Sequence, residues 1–412
     1  MIRRIRIEQL VPQMYVSRLD RSWLNMPLFR PLISSAQEVA WLKAQGIQEV
    51  YIDTDKGGDI PAGVADTGLS VAAQAAQEGH DTRPVPFAQE VPQATALLRE
   101  AEHAVYQAMI QARGGHPPAL KSAQAAVDRM AASILRNKDA LASVVALKSF
   151  DENVYLHSVR VCVLSLAFAS HLDMNWKEIK TVGMGALLHD IGKMRLAPAL
   201  VAKAGPLDTQ EYADYKRHSL EGAKLLDDSQ DLTRDVLAII LQHHERPDGS
   251  GFPRGLSAGE ISDYAKMVAI VDAFDNLLHK TQFQEKVTPF DALQWLRKWA
   301  GAALDSQQIE QFISAVGIYP PGSLVRMSDQ RMGIILSVHH SPTQLPKVWV
   351  VFDANHRQLA QPEVVDLALQ TGANPVTILA PMNPDKIGFN LSGYLEDKGL
   401  FSGNLPMEKP AN

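Results

Sequence analysis

Leu187-Leu-His-Asp-Ile-Gly-Lys193 sets two hard metal ligands, His189 and Asp190, side by side at the end of an apolar helical stretch. A solvated helix face rarely has that make-up, whereas a helix carrying ligands into a core does. Working outward from this run, the chain supplies His157, His218, the doublet His243-His244 and Asp272, each near the end or along one face of an expected helix. Taken singly, a histidine in a helical segment is more often a packed or capping residue than a ligand. Five histidines and two aspartates in one region change that balance, because a helical bundle with inward imidazoles and carboxylates is a recurring scaffold for dinuclear sites.

The surrounding periodicity predicts a mainly α fold. From Asn153 to about Val316 the chain reads as almost entirely helical, with breaks near Asn175, Pro198, Pro206 and the Gly-rich segment 247–259. Upstream, helical spacing runs from Gln93 to Arg113, stops at Gly114-Gly-His-Pro-Pro118 and continues from Leu120 to Lys148. Residues 93–317 are therefore expected to form an all-helical bundle. Residues 1–55 read as a small α+β module, with a helix over Ala36 to Gln45 that ends at Gly46 before a strand over Ile47 to Ile52. Residues 56–92 carry Gly57-Gly58, Pro84, Pro86 and Pro92 with few large apolar side chains, and are expected to be a linker. After Tyr319-Pro-Pro-Gly322 the pattern turns to short β-like runs at 324–327, 333–338 and 348–352, so residues 318–412 are expected to be a small β-rich appendix ending in a frayed tail.

Bulk properties exclude several classes. With 40 Lys and Arg against 46 Asp and Glu, the net charge of −6 leaves no footprint for duplex nucleic acid, and an anionic ligand must be held locally by metals or placed cations. The single cysteine, Cys162, rules out an internal disulfide and a thiolate zinc cage; lying in an apolar run, it is expected in the core of a cytoplasmic protein. The N-terminal run Met1-Ile-Arg-Arg-Ile-Arg-Ile alternates charged and apolar residues and reads as a strand, not a signal peptide. The apolar window at 159–169 is too short to cross a bilayer, so no membrane association is expected. Walker and Rossmann phosphate loops are missing from the sequence.

The charge argument points to phosphoester chemistry. Imidazoles are neutral, so with Asp190 and Asp272 as the anionic ligands, two divalent ions leave a formal positive surplus. A bridging hydroxide removes part of it, and the remainder attracts a phosphodiester oxygen. Adjacent His189 and Asp190 suit such a site, one binding one ion while the carboxylate bridges both.

Leu188-His-Asp-Ile-Gly-Lys193, His218, His243-His-Glu-Arg-Pro-Asp-Gly-Ser-Gly-Phe-Pro253 and Val271-Asp-Ala-Phe-Asp275 together resemble the HD-GYP subgroup of HD-domain phosphohydrolases over roughly residues 120–318. The long second motif is the specific part. Val11-Pro-Gln-Met-Tyr-Val16 and Leu19-Asp-Arg-Ser-Trp23 look like the small domain of unknown function that often precedes HD-GYP domains. The resemblance implies an HD-type helical bundle and hydrolysis of cyclic di-GMP to linear pGpG, and onward to GMP. It implies His157, His189, Asp190, His218, His243, His244 and Asp272 as metal ligands, with two divalent transition metal ions; iron or manganese is favoured over zinc, nickel or cobalt.

Lys193, three residues after Asp190 on a continuing helix, is placed to meet a substrate phosphate, and Asp275, one turn after Asp272, to hold a ligand or bound water. We count Asp190, Lys193 and Asp275 as the catalytic candidates. The loop residues Glu245, Asp248, Gly249, Gly251, Phe252 and Pro253 are expected to border the site and to offer a surface to partners such as GGDEF-type cyclases, Glu245 and Asp248 anchoring the loop from within.

Three departures from the family pattern stand out. Phe252 replaces its tyrosine, Asn153 stands where three-metal members carry a glutamate, and Thr281-Gln-Phe283 replaces an Arg-Pro-Tyr run, leaving Lys280 as the substitute cation for substrate. These departures keep two other readings open: a weakly active or inactive signalling module acting through protein partners, and a phosphodiesterase for another cyclic dinucleotide. Self-association into a homodimer also stays open.

Overall fold

The computed structural model describes residues 2–19, 32–44, 47, 49–54, 56–58, 70–147, 154–203, 205–229, 231–279, 287–338, 345–370 and 375–398. The chain divides into two compact units at Glu78/Gly79. In the first, β1 (Ile2–Arg6), β2 (Val16–Leu19) and β3 (Glu49–Asp53) form an antiparallel sheet in the order β1-β3-β2, accompanied by α1 (Ala36–Ala44). Ile5, Val16, Val50 and Ile52 from the strands and Val39 and Leu42 from α1 share one apolar core.

The expected linker at 56–92 contains helix. α2 (Val71–Gln77) begins where the Ser70 side chain accepts the Ala73 N–H, and α3 (Phe87–Arg113) starts before Pro92 and runs through it. Pro92, in the second turn, removes one bond from a helix of 27 residues.

The second unit carries α4 (Lys121–Arg136), α5 (Ala140–Leu147), α6 (Val154–His171) and α7 (Trp176–Leu188). The expected single helix from Leu120 onward is split at Asn137, whose Oδ1 accepts the N–H groups of Asp139 and Ala140 and so starts a new helix. α7 opens on a capping box between Asn175 and Glu178 and is buried from Ile179 almost throughout. Gly185 makes that position possible: a Cβ there would stand 2.4 Å from Ile239 of the neighbouring helix. Cys162 is fully buried on α6, and burial pushes its thiol up from its ordinary value.

Beyond α7 follow a 3-10 turn (Ile191–Arg195), α8 (Pro198–Val201), α9 (Thr209–Tyr215), α10 (His218–Leu226), α11 (Arg234–Gln242), α12 (Asp263–Leu278), α13 (Pro289–Lys298) and α14 (Ser306–Val316). The C-terminal part forms an antiparallel sheet of β4 (Leu324–Met327), β5 (Met332–Val338), β6 (Pro346–Phe352), β7 (Gln358–Asp366) and β8 (Ile378–Met382), in the order β7-β6-β5-β4-β8, with α15 (Leu391–Asp397) against one face. The fold is mainly α. Among the described residues no helix is long and apolar enough to cross a membrane.

Candidate metal centre

The run Leu187–Lys193 crosses a change of structure. α7 ends at Leu188, so His189 and Asp190 emerge from its buried C-terminal end and the chain then tightens into the 3-10 turn. Lys193 therefore lies on that turn and not on a continuing helix, although it still returns to Asp190. Gly192 lets the turn pack onto the start of α10: a Cβ there would stand 1.9 Å from the carbonyl oxygen of His218 and 2.4 Å from the Gly222 nitrogen. That backbone contact carries His218 to the centre.

The structure gathers the seven candidate ligands into two adjoining groups, Asp190 with His218, His243 and His244, and His157 with His189 and Asp272. Asp190 faces both. Its Oδ1 lies 3.4 Å from His218 Nε2 and 3.9 Å from His243 Nε2. Its Oδ2 lies 3.4 Å from His189 Nε2 and 3.7 Å from His157 Nε2. Asp272 Oδ1 stands 3.0 Å from His157 Nε2 and 3.7 Å from His189 Nε2.

Backbone carbonyls fix the orientation of the rings. Nδ1 of His189 donates to Ala186 O at 2.7 Å, that of His218 to Tyr215 O at 2.8 Å and that of His243 to Ile240 O at 2.9 Å. With the proton on Nδ1, each Nε2 lone pair points into the centre. His218 Nε2 and His243 Nε2 are 3.4 Å apart, and His157 Nε2, His189 Nε2 and Asp190 Oδ1 are buried without a hydrogen-bond partner. Such a convergence of buried lone pairs is costly unless a cation sits among them, so the residues fit divalent metal.

Charge distribution follows burial and pairing. Burial lowers His218 to about 3 and His244 to about 4, and drives His243 well down, so these imidazoles are neutral and ready to ligate. Burial would also lower His189, but in the metal-free protein the negative charges of Asp190 and Asp272 beside its Nε2 outweigh burial and raise the ring to about 10. His157 is raised for the same reason, by Asp272 and Asp275 against burial. Asp190 and Asp272 are held well below the carboxylate range despite burial, Asp190 chiefly by Lys193 and His189 and Asp272 by His157 and His189.

Asp275 takes a supporting position. Its Oδ2 accepts from His157 Nδ1 at 2.8 Å, while both of its oxygens accept from Arg160, at 2.8 and 2.9 Å. Arg160 was not among the sequence candidates, although its signal was present: His157 and Arg160 are one turn apart on α6, as Asp272 and Asp275 are on α12. Two further residues were missed. Asn276 Nδ2 donates to Asp272 Oδ1 at 2.8 Å, and the Tyr215 ring lies 5.4 Å from Lys193 Nζ. The ammonium of Lys193 is bound to Asp190 Oδ2.

The loop 245–253 lies against the group of Asp190, His218, His243 and His244. Phe252 stacks on His244 with ring centroids 4.6 Å apart, so the aromatic contact is kept without a hydroxyl. Buried Glu245 accepts the N–H groups of Arg254 at 2.7 Å and Leu256 at 2.9 Å, while Asp248 accepts that of Ser250 at 2.9 Å. Asp248 is exposed, so of the two expected internal anchors only Glu245 lies inside the loop; Gly249 and Gly251 follow Asp248, and Pro253 follows Phe252. Asn153, Lys280, Thr281-Gln-Phe283 and His339-His340 fall outside the described residues.

Residues 139–307 match the HD domain family and residues 2–123 match a domain of unknown function, DUF3391. The cyclic di-GMP phosphodiesterase PA4108 of Pseudomonas aeruginosa is 35% identical over 370 residues, 89% of this chain and 89% of that protein. The cyclic di-GMP phosphodiesterase response regulator RpfG of Xanthomonas campestris pv. campestris is 36% identical over 146 residues, 35% of this chain and 39% of the relative. The 3'3'-cGAMP-specific phosphodiesterase 1 of Vibrio cholerae is 30% identical over 206 residues, 50% of this chain and 44% of the relative. Similarity over 89% of both chains, with the two matched domains and the motifs gathered around Asp190, has one conclusion: the chain belongs to the HD-GYP family of HD-domain phosphohydrolases.

Proposed function

We propose that the protein hydrolyses a phosphodiester bond of cyclic di-GMP in a metal-dependent reaction, to linear pGpG and onward to GMP. The observation that carries this reading is the carboxylate of Asp190, whose two oxygens face two different groups of imidazole nitrogens. We assign one ion to Asp190, His218, His243 and His244, and a second to Asp190, His157, His189 and Asp272, with iron or manganese as the metal. Divalent ions held there supply Lewis acidity and activate water at neutral pH.

The chain's own residues set the conditions for that chemistry. The imidazoles of His218, His243 and His244 stay neutral because they are buried, and so bring no charge to offset the metals. Asp190 and Asp272 supply two negative charges, leaving the centre positive enough to draw a phosphodiester. Lys193 adds a cation at its edge; we assign it the double task of holding Asp190 and meeting a substrate phosphate. Asp275 and Arg160 hold His157 in place from behind.

The test is to strip the full chain of metal, reload it anaerobically with Fe2+ or Mn2+, and follow cyclic di-GMP and pGpG by chromatography. Turnover only in the reloaded protein supports the reading. A protein that binds metal but leaves cyclic di-GMP intact with every divalent ion defeats it.

A further inference from the structure

Arg160 and Asp275 also line a cavity of about 300 Å3 that does not include any of the seven metal-ligand candidates. That volume is at the lower end of the range of small-molecule sites, roughly 300–1,000 Å3. Its walls are mostly apolar. Ala142, Ala167, Phe274 and Phe290 contribute from α5, α6, α12 and α13, and Met382 and Phe389 from the C-terminal segment. Those last two lie beyond both matched family domains, so one wall belongs to the part of this chain that the HD domain does not include.

Charged side chains interrupt the apolar wall. Arg160 is only 5% exposed, and its Nε and Nη2 are taken by Asp275, but among the described residues Nη1 has no acceptor. Both Asp275 oxygens are already engaged by Arg160 and His157. Lys138 is a second cation on the lining, while Asp139 and Asp385 are its other carboxylates, Asp385 exposed. A buried guanidinium on the wall of an apolar cavity, with one nitrogen not taken by any described residue, suits an oxyanion on an apolar body.

We propose that this cavity is a binding site for a small, largely apolar organic molecule that carries one oxyanion group, a carboxylate or sulfonate, seated on Nη1 of Arg160. Because the same guanidinium grips Asp275, and Asp275 grips His157, the occupant and the metal at His157 are coupled. By linkage each alters the other's affinity by the same factor. The coupling, though not the site, rests on His157 being a metal ligand.

The experiment uses the full chain, metal-stripped and Mn2+-reloaded, titrated by fluorescence with 8-anilino-1-naphthalenesulfonate and with N-phenyl-1-naphthylamine, the same skeleton without the sulfonate. We expect one sulfonate probe per chain, bound about tenfold more tightly than the uncharged one, the discrimination that a charge-assisted hydrogen bond supplies. Ala142→Phe and Ala167→Phe, which fill the cavity from different helices, each abolish that binding. Mn2+ shifts the probe's affinity by about fivefold or more, within the usual range of coupling between sites. Equal affinity for the two probes overturns the proposal without any variant, and so does unchanged binding in either folded variant. Equal probe affinity with and without bound Mn2+ overturns the coupling. Failure to take up Mn2+, Fe2+ or any other divalent ion refutes the metal reading, while the comparison of the two probes still decides the cavity.

Discussion

Arg160 and Asp275 meet through two hydrogen bonds at 2.8 and 2.9 Å, and the same Asp275 carboxylate accepts from Nδ1 of His157 at 2.8 Å. A buried arginine on one helix thus sets the angle of the imidazole of a candidate metal ligand through a carboxylate on another. Such outer partners of a ligand typically govern about 10- to 100-fold of metal affinity. Asp275→Asn keeps the shape and loses the charge, so calorimetric titration with Mn2+ should show a loss of that size. An unchanged affinity removes Asp275 from this role.

The two groups of ligands make different predictions for stoichiometry. His157→Gln touches only the group with His189 and Asp272, so metal analysis should find about half of the parent's metal. Asp190→Ala removes the carboxylate common to both and should leave the protein close to metal-free. Equal losses in the two variants would argue for a single ion.

Gly192→Ala tests the backbone contact beneath the site. The added methyl would overlap the His218 carbonyl, 1.9 Å away, and neither backbone can rotate aside. Overpacking of this kind costs about 1–3 kcal/mol or more. Thermal unfolding should show that loss together with weaker metal uptake, because His218 moves with α10.

Glu245→Ala removes the acceptor for the Arg254 and Leu256 N–H groups. Each of these part-buried bonds to a charged acceptor contributes about 1.5–3 kcal/mol at most. Hydrogen exchange should rise in residues 245–256, while α6 and α7 remain protected as before.

The pH dependence of the metal-free protein follows from opposed shifts. His218 and His244 fall to about 3 and about 4 in the folded state, below the ordinary 6.5, mainly through burial. The unfolded chain then takes protons first as the pH drops, and the stability these residues contribute above 6.5 is lost on the way down through about 4 and about 3. His189 is raised to about 10 because the Asp190 charge outweighs burial, so its contribution is full below 6.5 and drains as the pH rises towards 10. Each group acts with a slope of about 1.4 kcal/mol per pH unit. The melting temperature of metal-stripped protein should therefore peak near pH ~6.5. A monotonic rise across pH 5–9 would contradict this balance.

Much of the architecture was legible because local pattern encodes it. The N-terminal sheet, the helical stretch, and the runs that became β4, β5 and β6 all follow from spacing of apolar residues and from punctuation by Gly and Pro. The reading failed where short polar signals outweighed those patterns. Asn137 broke what looked like one helix, Ser70 started another inside the expected linker, and Pro92 was tolerated near a helix start that it had appeared to forbid.

By itself the sequence determined the chemical inventory: five imidazoles and two carboxylates on helical elements, one glycine after the HD pair, and a single cysteine with no partner. What only tertiary structure decided is which atoms face each other. Imidazole nitrogens separated by up to 87 positions, from His157 to His244, converge because glycines let turn and helix backbones touch, backbone carbonyls take the Nδ1 protons of His189, His218 and His243, and Asp275 takes that of His157. Asp190 divides its oxygens between two groups, and Arg160 reaches Asp275, for the same reason. Side-chain identity is local, but direction in space is set by the packing of helices distant in sequence.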